Sequence, residues 1–175
     1  MPPRLLRLVT PVALAAALFI SGCGDDEDSG SAGAEQPAET AAESRAALED
    51  TSVKPVIEKP SGSPPRRLVK EDIVKGKGRA AKAGDRITVQ YVGVSFSTGE
   101  QFDASWDSGQ PFSFFLGAGE VIPGWDKGIV GMKPGGRRKL TIPPEQAYGA
   151  EGSPPDIAPN ETLVFVVDLV RVQGR

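Results

Sequence analysis

The sequence predicts an α+β domain in which a strongly curved antiparallel sheet of about five strands wraps around one short helix. Three observations predict it. Between Leu68 and Val172 the apolar residues alternate over several short runs, the period of half-buried strands. Only one stretch there, Gly119–Gly131, has helical spacing. The last run, Thr162–Val172, is apolar on both faces in its middle, as a central strand is. A lone helix cannot bury its own apolar face, so it must lie on the sheet.

Each element follows from local chemistry. Leu68–Val74 is a first strand, followed by turn material at Gly76 and Gly78. Asp85–Phe96 alternates through Ile87, Val89 and Tyr91. Ser97-Thr98-Gly99-Glu100 turns the chain, Gln101-Phe102-Asp103 resumes extended structure, and Phe112, Phe114 and Leu116 alternate in the next strand. Pro123 has its φ already set for a first helical turn and lacks only an N–H that would have been unpaired anyway. Ile122, Trp125 and Ile129 then fall on one face, and Gly131 and Pro134 close the helix. Arg138–Ile142 is strand, stopped by Pro143-Pro144. The Gly- and Pro-rich stretch Tyr148–Asn160 is a loop. Arg137-Arg138-Lys139 reads as a solvated strand face rather than a binding patch.

The 175 residues divide into three parts. Residues 1–22 carry Arg4 and Arg7, an apolar run from Leu8 to Ile20 and then Ser21-Gly22-Cys23, the pattern of a secretory signal. That run is short of the ~20 residues a bilayer span needs. Ile20-Ser21-Gly22-Cys23 resembles the bacterial lipobox, which implies a diacylglycerol-modified Cys23 at the mature N-terminus, at the position of the single Cys. The expected location is therefore outside the cytoplasm, periplasmic or on the outer face of the bacterial cytoplasmic membrane. Residues 23–65 are poor in large apolar side chains and carry ten acids against three bases, so they are expected as a disordered acidic tether. Random-coil scaling gives it a reach of about 35 to 40 Å. Residues 66–175 are long enough for one compact domain.

Composition excludes several chemistries. With no His, a Ser-His-Asp or Cys-His mechanism is absent and a zinc site is not expected. A net charge of −3 gives no reason to expect nucleic-acid binding. A second Cys is missing, so no internal disulfide is expected. The few aromatics carry more information. Phe102, Phe112, Trp125, Tyr148 and Phe165 fall where strands meet turns, at the helix start or in the long loop, and such positions converge on the rim of a curved sheet, where pockets form. Singly each is a core candidate; together, with Asp103 beside Phe102, they mark a shallow aromatic pocket. Tyr91 fits core or pocket equally, and Asp103 fits a turn as well as a site.

Six collinear blocks carry a resemblance. They are Val89-Gln90-Tyr91-Val92-Gly93, Gly99–Ser105 with its Phe102-Asp103, Pro111-Phe112-Ser113-Phe114, Val121-Ile122-Pro123-Gly124-Trp125-Asp126-Lys127-Gly128, Leu140–Gly149 and Ala158–Phe165. In this order, over nearly all of residues 68–172, they resemble the FK506-binding-protein family of peptidyl-prolyl cis-trans isomerases. The resemblance implies a pocket of Tyr91, Phe102, Asp103, Phe112, Val121, Ile122, Trp125, Tyr148, Ile157 and Phe165. It implies a proline ring resting on Trp125, substrate carbonyls held by the Ile122 N–H and the Tyr148 hydroxyl, and Asp103 orienting Tyr91 or stabilising the rotating amide. Asp103, Tyr148, Ile122 and Trp125 are thus the expected catalytic set, with no cofactor and no metal. Expected partners are proline-containing polypeptides, macrolide inhibitors and, through Cys23, the membrane, with the chain a monomer. Ser153, Val166 and Pro154-Pro155-Asp156 depart from the family's usual residues at the rim, which bears on substrate preference. The function implied is isomerisation of X-Pro bonds in exported or cell-surface proteins. The alternative is a lipid-anchored module that binds proline peptides without turnover, and no insertion between Tyr91 and Tyr148 is large enough for a separate chaperone flap.

Overall fold

The computed structural model describes residues 48–174; the signal segment, Cys23 and the tether up to residue 47 lie outside the described residues. In chain order the elements are β1 (Val69–Val74), β2 (Arg86–Ser95), β3 (Gln101–Ala104), α1 (Ser105–Ser108), β4 (Phe112–Phe115), α2 (Pro123–Gly128), β5 (Gly136–Ile142), a 3-10 turn (Pro144–Gln146) and β6 (Leu163–Gln173). All strand pairs are antiparallel, in the order β1-β5-β6-β2-β3, with β4 also on β2. The sheet has six strands rather than about five because the short β3 and β4 pair separately with successive parts of β2.

The period-2 pattern sorts the side chains as expected. Ile87, Val89, Leu140, Ile142, Phe165, Val167 and Leu169 point to the face that α2 covers, where Trp125 and Ile129 join them. α2 is six residues long and lies close on β5. A Cβ on Gly124 would stand 2.3 Å from the Ile142 side chain, and one on Gly128 would stand 2.8 Å from Leu140, so only glycine permits this approach. The helix begins at Pro123, as its fixed φ dictates, and Asp126 in its first turn accepts the N–H groups of Gly117 (2.8 Å) and Gly119 (3.0 Å). That pair of bonds folds the loop before the helix.

The opposite face of the sheet holds a second cluster, Val92, Val94, Ala104 and Val164, and it changes two expectations. Leu163 to Leu169 of β6 are buried throughout, which requires cover on both sides of the sheet. The cover comes from the stretch expected to be tether. Ile57 packs on the second cluster with Phe96 and Trp106, Pro55 is buried, and Lys54 pairs with Asp107 at 2.5 Å. The described end of the tether, from Leu48 to Ile57, therefore lies against the domain as a strap rather than free in solvent.

The basic run is corrected in the same place. Arg137 is fully buried and Arg138 is 8 % exposed, so Arg137-Arg138-Lys139 is not a solvated face. Alternation sends the two arginines to opposite faces, and each finds a partner. Arg138 pairs with Asp72 at 2.6 Å and donates to the Gly128 and Val130 carbonyls behind α2. Arg137 makes a bidentate pair with Asp168, at 2.5 and 2.8 Å, and donates to the strap carbonyls of Leu48, Asp50 and Val53.

Candidate functional site

On the α2 side of the sheet, a concavity of about 230 Å³ is lined by Tyr91, Phe102, Asp103, Phe112, Glu120, Val121, Ile122, Trp125, Tyr148 and Phe165. These side chains come from β2, β3, β4, α2, β6 and the loops beside them, so curvature of the sheet brings them together. Trp125 is 4 % exposed and forms the base. Around its ring stand Tyr91 at 5.0 Å, Phe165 at 5.2 Å and Phe112 at 6.4 Å between centroids, all edge to face. Phe102 meets Phe165 edge to face at 5.5 Å. Gly93 makes room for that pair, since a Cβ there would lie 2.7 Å from both rings. Phe112 and Tyr148 are the open part of the wall, 41 % and 42 % exposed.

The polar atoms are few and placed. The Tyr91 hydroxyl donates to Asp103 Oδ2 at 2.5 Å, which joins β2 to β3 across the mouth. Ile122 precedes the first turn of α2, and its carbonyl accepts the Trp125 and Asp126 N–H groups. Its own N–H has no protein acceptor among the described residues, as expected of a helix start. Burial, then the hydrogen bond to Asp103 and that carboxylate's charge, push the Tyr91 phenol well above its ordinary value of 10. Burial and then the Asp103 charge raise Tyr148. Both phenols therefore remain O–H donors through neutral and mildly alkaline pH.

A pH profile follows. Because both phenols keep their protons in this range, kcat/KM for an X-Pro peptide is expected to vary less than about twofold from pH 7 to 9. The sign for stability is also fixed: a phenol whose folded pKa is raised contributes fully below the unfolded value of 10 and loses that contribution as pH rises beyond it. Melting temperature should thus fall on the alkaline limb above pH 10. A steep decline in rate between pH 7 and 9 would contradict this assignment of protonation states.

Nine of the ten expected pocket residues line the concavity. Ile157 does not: it is 4 % exposed within the main core, and its N–H and carbonyl pair with Ser153 across the loop, turning the side chain inward. Glu120 lines the pocket and was not expected. Its carboxylate accepts the Phe115 N–H at 3.0 Å, which holds it at the rim; the only sequence signal was a charged residue directly before Val121. Tyr91 and Asp103, each open to two readings in the sequence, both belong to the pocket. A separate cavity of about 260 Å³ is bounded by Asp72, Lys75, Gly76, Lys133 and Arg138, and it has no aromatic surface for a proline ring. Among the described residues no group of three or more Cys, Asp or Glu side chains could hold a metal ion.

This is an apolar, aromatic cleft with two protonated phenols, the carboxylates of Asp103 and Glu120 and an unpaired helix-start N–H, and its lining holds no Ser, Thr, Cys or Lys. Such a site can strip water from a peptide and hold its carbonyls, but it has nothing with which to cleave it. Comparison with known proteins agrees. Residues 77–170 match the family model of the FKBP-type peptidyl-prolyl cis-trans isomerases. An FK506-binding protein of Streptomyces anulatus is 57 % identical over 120 residues, spanning 68 % of this chain and 97 % of that protein. A probable FK506-binding protein of Corynebacterium glutamicum is 54 % identical over 117 residues, 67 % of this chain and 97 % of its own. The crystal structure of AtFKBP13 is similar with a TM-score of 0.56 and 39 % identity, over 59 % of this chain and 91 % of that one. With a six-stranded antiparallel sheet, one helix behind an aromatic cleft and a family match over residues 77–170, which include every residue lining that cleft, the chain belongs to the FKBP-type peptidyl-prolyl cis-trans isomerases and is an enzyme of that class.

Proposed function

We propose that the protein is an exported, lipid-anchored isomerase that speeds the folding of proteins outside the cytoplasm, with the concavity over Trp125 as its active site. The observation that carries the site reading is the enclosure of the Trp125 indole by Tyr91, Phe112 and Phe165, with the Tyr91–Asp103 bond at the mouth. The anchoring part is supported by the signal-like residues 1–22 and the single Cys at position 23.

Rotation about an X-Pro amide meets a barrier of ~18 to 20 kcal/mol because the planar form is resonance-stabilised. At the twisted geometry that resonance is lost, and the amide becomes less polar than the planar ground state that water solvates. A cleft that replaces water with aromatic surface therefore favours the twisted form over the planar one. The proline ring rests on Trp125 between Tyr91, Phe112 and Phe165. The Ile122 N–H and the Tyr148 hydroxyl hold substrate carbonyls and fix one side of the rotating bond. Asp103, hydrogen-bonded to Tyr91, orients that ring and places a negative charge beside the amide. The same apolar surface accommodates a macrolide such as FK506, the ligand for which the relatives are named.

A proline-limited refolding assay tests the reading. Wild type should accelerate the slow phase, FK506 should abolish the acceleration, and Tyr148→Phe and Asp103→Ala should each lower kcat/KM by about 3- to 30-fold with peptide binding kept within a few-fold. Equal rates for wild type and both variants would remove these two residues from the mechanism. Anchoring is tested by mass spectrometry of the protein from its native membrane: a diacylglycerol adduct on an N-terminal Cys23 is expected, and an unmodified Cys23 inside an uncleaved chain would overturn it.

A further inference from the structure

Strand β2 is bordered on one edge by two different strands. β4 pairs with Arg86–Val89 and β3 pairs with Val92–Val94. Gln90 and Tyr91, between these ladders, have no strand partner on that edge, and Tyr91 lines the active-site cleft. A gap in a sheet edge leaves backbone groups to be satisfied by other means. Here the Tyr91 N–H donates to the Ser105 hydroxyl oxygen at 2.8 Å, and that hydroxyl donates in turn to the Gln90 side-chain carbonyl. Ser105 is 6 % exposed, opens α1 directly after β3, and its own carbonyl accepts the Ser108 hydroxyl at 2.9 Å. Both bonding roles of the Ser105 hydroxyl are filled, inside the fold, by the two residues in the gap.

We propose that Ser105 is a positioning residue for the isomerisation, its hydroxyl standing in for the missing strand so that Tyr91 and Asp103 are held as one wall of the cleft. The pairing of the two strands ends at Val92↔Ala104, one residue short of Tyr91, so the ladder alone does not fix the Tyr91 backbone against the strand that carries Asp103. The Ser105 bond closes that last step, two residues beyond Asp103. It keeps the Tyr91 hydroxyl at 2.5 Å from the Asp103 carboxylate and keeps water out of the gap beside a site that works by desolvation. Without it the Tyr91 N–H is left in a buried gap without an acceptor, and water or strand movement must satisfy it. The inference rests on the reading of Tyr91 and Asp103 as active-site residues.

The test uses the full chain with Ser105→Ala, Ser105→Thr and Gln90→Ala, alongside Tyr91→Phe and Asp103→Ala. Expected for Ser105→Ala is a fall in kcat of about tenfold with KM within about twofold, since the Trp125 surface that binds proline is untouched. Tyrosine ring-carbon NMR should show the Tyr91 phenol titrating closer to 10, a change that general destabilisation of a still-folded protein does not produce. Ser105→Thr retains the hydroxyl and should restore most of kcat, and Gln90→Ala should lower kcat by a smaller factor. If Ser105→Ala is wild type in kcat and in the Tyr91 signal while Tyr91→Phe and Asp103→Ala are impaired, the positioning role is wrong and the site reading stands. If Tyr91→Phe and Asp103→Ala are also wild type, the site reading falls and takes this inference with it. Should Ser105→Ala fail to fold, Gln90→Ala decides: an unchanged kcat and Tyr91 signal there would overturn the role.

Discussion

Trp125→Ala is expected to lose both catalysis and a large part of the protein's stability, because one ring serves the cleft and the core. Trp125 is 4 % exposed and touches Tyr91, Phe112, Phe114 and Phe165. Truncating a buried aromatic to alanine costs about 3 to 5 kcal/mol, out of the ~5 to 15 kcal/mol a domain has. For a domain of this size that lowers the melting temperature by about 10 to 25 °C. The face turned to the cleft is the floor on which proline rests, and losing that surface removes roughly 2 to 3 kcal/mol of transition-state contact, a fall of about 30- to 150-fold in kcat/KM. Assays at 10 °C on folded protein, with folding followed by near-ultraviolet circular dichroism, separate the two effects. Phe112→Ala provides the contrast. At 41 % exposure it should raise KM severalfold while costing no more than about 1 kcal/mol. A folded Trp125→Ala protein with wild-type kcat/KM would remove the indole from the site and leave it as core alone.

The same double role explains how far the site could be read from sequence. The strands were legible because alternation is a local property: Ile87-Val89-Tyr91 and Phe112-Phe114 declare a face without knowledge of what covers it. The helix was legible because Pro123 and the Ile122, Trp125, Ile129 spacing are local too. What depended on distant partners was not legible. Arg137 reads as a surface charge unless one knows that Asp168, 31 residues on, and carbonyls 84 to 89 residues back surround it. Arg138 needs Asp72, 66 residues away. Residues 48–57 have the composition of a linker, and they dock because the two-faced apolar pattern of β6 leaves a second surface to cover and Arg137 supplies donors for their carbonyls. That pattern was visible, but it names a need for cover and not the segment that supplies it. Ile157 shows the limit of position-by-position resemblance: the chain reverses at Ser153–Ile157, and that reversal decides which way an apolar side chain in a loop points. Ser105 was hidden for a further reason, since its role exists only where β3 ends one residue too early.

The strap makes the second prediction, and a pair of variants distinguishes what holds it. Arg137→Ala leaves the Asp168 carboxylate buried without its counter-ion and leaves the Leu48, Asp50 and Val53 carbonyls without their donor. Removing one partner of a buried ion pair costs about 3 to 5 kcal/mol, so chemical denaturation should show a loss of that size. Amides 48–57 should exchange far faster than in wild type. The double variant Arg137→Met/Asp168→Leu removes the stranded charge and keeps apolar volume, and such replacements are often neutral for stability. It should therefore recover most of the loss. It offers no donor to the strap carbonyls, however, so rapid exchange of residues 48–57 should persist. Recovery of stability together with recovery of strap protection would mean that Ile57 and Pro55 hold the strap by packing, with the guanidinium incidental. Alternation along β5 and β6 puts Arg137 and Asp168 on the face away from Leu140 and Val167, hence away from the cleft. Rate per folded molecule should accordingly stay within about twofold in every one of these variants. Loss of strap protection with an unaltered rate would establish the second face as a structural layer of its own, one that fixes where the N-terminal chain leaves the domain without taking part in the chemistry.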